Sequence, residues 1–190
     1  MAHRRKGVMI VDEEPARRKK YYDVVKLTGV NVSSAVDGTE AMGRLRREQS
    51  DVVIVNMYSK SVGGFSFVKE LRTYGLGQKM KVIGVVEDSE GDSSSARAAG
   101  ADELMEPGVE PYELIELACK HLGISKIEIP KEQMQKRREI VEEVVTNYRS
   151  RAQESERLGG RPIKVEVFLP GGKSPLLALT EDAGKNRGGS

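Results

Sequence analysis

The chain has 190 residues, 38% hydrophobic and 32% charged, with a net charge of +2, which allows one well-filled core and a smaller appendage but not two large domains. Up to Pro130 there are 19 basic against 20 acidic residues, and after it 12 against 9, a small mixed surplus that argues against an electrostatic grip on nucleic acid. Cys119 is the only cysteine, which excludes an intramolecular disulfide and a thiolate metal cluster.

At the start, His3-Arg4-Arg5-Lys6 precedes only the short apolar run Val8 to Val11. That run is too short for a signal-peptide core, and no other approaches membrane-spanning length, so a cytoplasmic protein that avoids membranes is expected. Gly7 to Val11 reads as a strand ending at Asp12-Glu13-Glu14-Pro15. Proline after acids suits the first turn of a helix, which runs from about Pro15 to Thr28 and closes at Gly29. Val24, Val25 and Leu27 form its apolar side, Arg17 to Lys20 its wet side.

Val30 to Val36 is a more polar strand, suited to an edge. Asp37-Gly38 turns into a helix carrying Ala41, Met42 and Leu45. Asp51-Val52-Val53-Ile54-Val55-Asn56 then places four β-branched residues in a row, the composition of a central parallel strand buried on both faces. A loop, Met57 to Gly64, leads to a helix from Phe65 to Tyr74. Lys81 to Val86 is a fourth strand, the acidic and serine-rich residues from Glu87 to Ser95 form a loop and a short helix reaching Ala99, and Leu104-Met105 is a short fifth strand before Pro107. Residues 111–122 form a helix with Leu114, Ile115, Ala118 and Leu122 inward and Cys119 as a packed thiol. Five strands alternating with five helices imply an α/β fold, a doubly wound parallel sheet with helices on both faces.

The pattern changes around Pro130. Residues 124–130 read as a linker, and 131–158 as one long polar helix with a narrow stripe of Met134, Val141, Val144, Val145 and Tyr148. Such a stripe more often packs on its own domain than forms a coiled coil. Alternation of Ile163, Val165, Val167 and Leu169 predicts a strand that Pro170-Gly171-Gly172-Lys173-Ser174 could turn into a β-hairpin over 162–181, followed by a disordered tail at 184–190.

The first strand ends on Asp12 and Glu13, the third on Asn56. In a sheet of order 2-1-3-4-5 these ends meet at the topological switch point, where open α/β sheets bind ligands. Two carboxylates and an amide oxygen there could hold a hard cation, with Mg²⁺ as a weak expectation and no cofactor required. Equally, Asp12 and Glu13 could cap the helix at Pro15, where its dipole favours negative charge. The two readings are compatible.

Ile10-Val11-Asp12-Glu13-Glu14-Pro15, Asp37-Gly38-Thr39-Glu40-Ala41, the Asp51 to Asn56 strand, Gly64, Leu71-Arg72 and Ala99-Gly100-Ala101-Asp102 together resemble the receiver domain of bacterial response regulators, CheY-like and flavodoxin-like in fold, over residues 6–123. In that family two acids after the first strand hold Mg²⁺, and an aspartate ending the third accepts a phosphoryl group. A Thr or Ser ending the fourth strand and a Lys before a Pro after the fifth contact the phosphate. Asp12 and Glu13 match the metal acids. Asn56 stands at the acceptor position, Val86 at the hydroxyl and Glu106 at the lysine, and Glu103-Leu104-Met105 lacks the family's aromatic switch residue. An amide is far less nucleophilic than a carboxylate, and Glu106 would repel a phosphoryl group. The resemblance therefore implies a pseudo-receiver in two-component signalling that works by protein–protein contact without aspartate phosphorylation. Tyr58, Ser59 and Ser61 are the hydroxyls that could substitute as acceptors.

Its signalling partner would dock on the helix 4–strand 5–helix 5 face, around residues 89–122, with the helix from Lys131 as an output or homodimerisation element. The alternative is a DNA-binding transcriptional regulator using residues 131–190, although Glu132, Glu139, Glu142 and Glu143 share that helix with its basic residues. Two histidines, one cysteine and no phosphate-cradling loop speak against an enzyme; Gly171-Gly172-Lys173-Ser174 lacks the upstream glycine spacing of such a loop.

Overall fold

Side chains that alternate between the two faces of the sheet divide the molecule into two cores. In the computed structural model, which describes residues 6–58, 63–75, 77–87, 90–129, 131–158 and 166–168, β1 (Gly7–Val11) and β3 (Val52–Asn56) are buried along their whole length. They are flanked by β2 (Asn31–Ala35), β4 (Lys81–Val85) and β5 (Glu103–Met105) in an all-parallel sheet of order β2-β1-β3-β4-β5. Val8, Ile10, Val52, Ile54, Ile83 and Val85 face one side of the sheet, and Met9, Val11, Val53, Val55 and Val82 the other. A period of two therefore gives the inner strands β1, β3 and β4 two buried faces. The expected doubly wound fold and strand order are those observed.

On the first side lie α1 (Pro15–Lys26) and α5 (Pro111–Leu122); on the second lie α2 (Gly38–Leu45), α3 (Gly64–Thr73) and α4 (Glu90–Ala99). The short helix expected to reach Ala99 is α4, which takes in residues 93–95 because burial of Ala96 and Ala99 outweighs the weak helix propensity of serine. Helix α5 starts at Pro111 and ends at Gly123, whose φ of 61° is left-handed. Cys119 is buried there, and burial, assisted by nearby Glu116, pushes its thiol up to about 12.

The C-terminal residues depart most from the sequence reading. The predicted linker contains a strand, β6 (Lys126–Glu128), because Ile127 and Ile129 alternate with polar residues and insert into the α1–α5 core. The single long helix is two, α6 (Lys131–Lys136) and α7 (Arg138–Leu158), parted at Arg137. Strand β7 (Glu166–Phe168) pairs in parallel with β6, with Ile127 beside Val167. A parallel pair needs a crossover, here α6 and α7. The second hairpin strand at 176–180 and the tail at 184–190 lie outside the described residues.

Helix α7 runs antiparallel to α1 and α5. Arg137 Nε donates to Asp23 Oδ1 at 2.9 Å, Lys20 lies 4.0 Å from Glu143, and Asn147 Nδ2 donates to Glu110 Oε2 at 2.9 Å, beside the start of α5. Asp23, 7% exposed, also pairs with Lys19. Val141 and Val144 are buried against α1 and α5, with Val145 partly so, and this part of the apolar stripe packs on the chain's own core. The side chains of Met134 and Tyr148 lie outside those described.

Candidate functional site

Because β1 and β3 are neighbours with Val11 beside Val55, the residues that follow, Asp12 and Asn56, meet at the carboxyl edge of the sheet. Both are buried, Asp12 at 1% and Asn56 at 7% exposed. Asn56 Nδ2 donates to Asp12 Oδ1 at 3.3 Å, and Asn56 Oδ1 accepts the Tyr58 N–H at 3.0 Å. The second bond fixes which way the amide points. A carboxylate at position 56 could accept from Tyr58 but could not donate to Asp12.

Asp12 is held from its other side by α1. Its Oδ1 accepts the Glu14 N–H and Arg17 Nη2, both at 2.9 Å, while Arg17 Nε donates to Oδ2. Arg17 is the third residue of α1, and helical side chains lean towards the N-terminus, which carries the guanidinium back over the strand end. The hydrogen bond to Asp12, against the cost of burial, holds Arg17 above the ordinary arginine range. Arg18 Nη1 donates to the carbonyls of Asp12 at 2.6 Å and Glu13 at 3.3 Å. The basic run predicted as the wet side of this helix thus turns two arginines onto the site.

The helix cap also differs from the expectation. Glu14, not Asp12 or Glu13, accepts from the N–H groups of Ala16 and Arg17, at 3.1 and 3.2 Å. Glu13 is half-buried. A hard divalent ion needs several free oxygens. Here both Asp12 oxygens are engaged by a cation, and an amide N–H group points at one of them. Among the described residues no group of three His, Cys, Asp or Glu could hold a metal ion. Asp12, Glu13 and Asn56 in this arrangement do not fit one.

Val86 follows β4, is 4% exposed, and belongs to the core on the α2, α3 and α4 side of the sheet, while its N–H donates to the Met105 carbonyl. It offers the site no polar group. Glu106 is exposed beyond the end of β5, and the structure does not join it to Asp12 or Asn56. The loop it opens is tied to α1, since Tyr21 Oη donates to the Pro107 carbonyl at 2.8 Å. Burial pushes the Tyr21 phenol up to about 12, with Arg17 opposing and Asp12 adding to the shift. Tyr58 is 38% exposed and meets Phe65 edge-on; Ser59 and Ser61 lie outside the described residues.

On β5, Glu103 occupies the stretch lacking an aromatic. It accepts from Lys120 Nζ at 2.8 and 2.9 Å and lies beside His121 Nε2 of α5. Burial alone would raise the Glu103 carboxyl, but Lys120 and His121 reverse this and hold it below its usual 4.5. Asp102 is likewise held below 3.8: burial raises it, and the Val82 N–H, Lys81 and Arg72 more than compensate. Depressed carboxyls stabilise the fold above their unfolded-state values and lose that contribution as pH falls through the folded ones. The urea midpoint is therefore expected to fall as pH drops below 4.5, and less steeply in Glu103→Gln with Asp102→Asn; equal slopes would contradict this origin.

No helix among the described residues is long and apolar enough to cross a membrane. The sequence model of the family described as Response regulator receiver domain matches residues 8–118. Similar curated proteins include the probable transcriptional regulatory protein TcrX of Mycobacterium tuberculosis, 24% identical over 60% of this chain and 47% of that protein. The nitrate/nitrite response regulator protein homolog of Haemophilus influenzae is 27% identical over 57% of this chain and 53% of its own. The chain thus spans about half the length of these relatives. Among solved structures, the Vibrio cholerae chemotaxis protein CheY4 superposes with a TM-score of 0.59 at 23% identity, over 62% of this chain and 98% of that one. A CheY-like receiver domain protein from Methanospirillum hungatei gives 0.58 at 22% identity, over 70% and 99%. Both show the fold.

Proposed function

The chain belongs to the response regulator receiver domain family, and from that premise we propose that it is a degenerate receiver, signalling by protein–protein contact without phosphorylation of an aspartate. The observation that carries this reading is Asn56, whose amide both donates to Asp12 and accepts from Tyr58 at the position of the family's acceptor. An amide oxygen in that bonded state is a poor nucleophile towards phosphorus. Val86 brings no hydroxyl and Glu106 no cation, so an added phosphoryl group would meet little positive charge from those two positions. Docking is assigned to the face of α4, β5 and α5, around residues 89–122, since α7 already covers the side where α5 meets α1.

Incubation with acetyl phosphate or phosphoramidate and Mg²⁺, followed by intact mass, tests the reading. Wild type should gain no phosphoryl mass; a gain would overturn it and direct mapping to Tyr58, Ser59 and Ser61. A gain by Asn56→Asp alone would assign the loss to one amide, and no gain by either would assign it to several positions. DNA binding by residues 131–190 remains the second reading, prompted by the name of TcrX. It is weakened by burial of Val141 and Val144, which commits one side of α7 to the receiver core.

A further inference from the structure

We propose that the Arg17 guanidinium is the resident cation of this site, taking the neutralising role of a divalent ion, so that Asp12 is held in place without metal. The inference rests on the reading of the site as non-phosphorylated and deepens it, since a pocket carrying its own cation needs neither ion nor phosphoryl group to be assembled.

Asp12 is 1% exposed, and a buried carboxylate requires a paired charge as well as hydrogen bonds. The Glu14 N–H and the Asn56 amide supply hydrogen bonds only. Arg17 supplies the charge, with two N–H groups directed at the two oxygens in the fork geometry that suits a carboxylate. Its location is otherwise unfavourable. A cation in the first turn of a helix opposes the helix dipole, so its placement at the third residue of α1 is explained by Asp12, with Glu14 3.8 Å away as a second acid. Arg18 adds another positive charge at the Asp12 and Glu13 carbonyls, and an incoming Mg²⁺ would face both arginines. The Asn56 amide reinforces the exclusion, because it turns N–H towards Asp12 and its oxygen towards Tyr58.

The test uses the full chain as wild type, Arg17→Met and Arg17→Gln. Each is melted with Mg²⁺ and with a chelator, and titrated with Mn²⁺ by electron spin resonance. Wild type is expected to show the same midpoint under both conditions and no bound Mn²⁺. Arg17→Met should melt lower, recover part of the loss in Mg²⁺, and bind Mn²⁺ at least about tenfold more tightly than wild type, as ligand binding to the folded state requires. If Arg17→Met does not fold, Arg17→Gln decides, since it keeps a hydrogen-bond donor but loses the charge: its midpoint should lie below wild type and rise with Mg²⁺. A divalent response in wild type, or none in the variant that folds, would overturn the proposal. Phosphoryl mass is not read here, so wild-type cation binding would defeat this inference alone, whereas wild-type phosphorylation would defeat the functional reading.

Discussion

Gly64→Ala is expected to destabilise the protein by about 3 kcal/mol or more and to disturb Asn56 directly. A Cβ at Gly64 would stand 2.3 Å from the Asn56 carbonyl oxygen, 2.6 Å from Met57 Cα and 2.9 Å from the Asn56 carbonyl carbon. All three are backbone atoms, so no rotamer change relieves the clash. The start of α3 must lift from the end of β3, or β3 must move, and either displaces the residue that bonds Asp12. Gly43→Ala is the control: it lies within α2 with nothing inside 4 Å of the added atom, and should stabilise by about 0.5–1 kcal/mol. Urea unfolding followed by circular dichroism gives the stabilities, and the side-chain amide resonance of Asn56 reports the site. Similar small effects at both glycines would mean that α3 does not press on β3 as described.

Val144→Asp should cost a comparable amount, about 3 kcal/mol or more, although it lies far along the chain in what the sequence suggested was an appendage. Val144 is 0% exposed and shares a core with Val24, Val25, Leu114 and Ile115. Burying a carboxylate there without a partner breaks the seam between α7 and the receiver fold. Val144→Ala should cost about 2 kcal/mol, and Thr146→Asp, on the exposed side of α7, within about 0.5 kcal/mol of nothing. One cooperative transition, lowered as a whole by Val144→Asp, is the expected result. A receiver transition unmoved by that substitution would show α7 melting by itself.

Five-residue runs such as Val52 to Asn56 make the central strands legible, because a segment buried on both faces admits little but aliphatic residues. The convergence of Asp12 with Asn56 follows from strand order and was readable too. Arg17 was not. A basic residue in a basic run looks solvated, and only the backward lean of the helix's first turn reveals that it reaches the strand end. The linker failed for another reason: a three-residue strand such as β6 carries too few alternations to register, and its partner lies on the far side of two helices. The narrow stripe of α7 was visible, but the surface it covers is set by α1 and α5 together, which no local pattern encodes.

The ion pair of Arg137 with Asp23 closes a span of 114 positions, and β7 pairs with β6 across the whole of α6 and α7. Contacts so distant in sequence are slow to find, because a long loop must be closed before they return anything. Helix α1 is made early, yet part of its apolar side waits for Val141 and Val144. A nascent chain that has completed the five-stranded sheet therefore still shows that seam to its surroundings, and this interval is when chaperone capture or self-association would compete with folding.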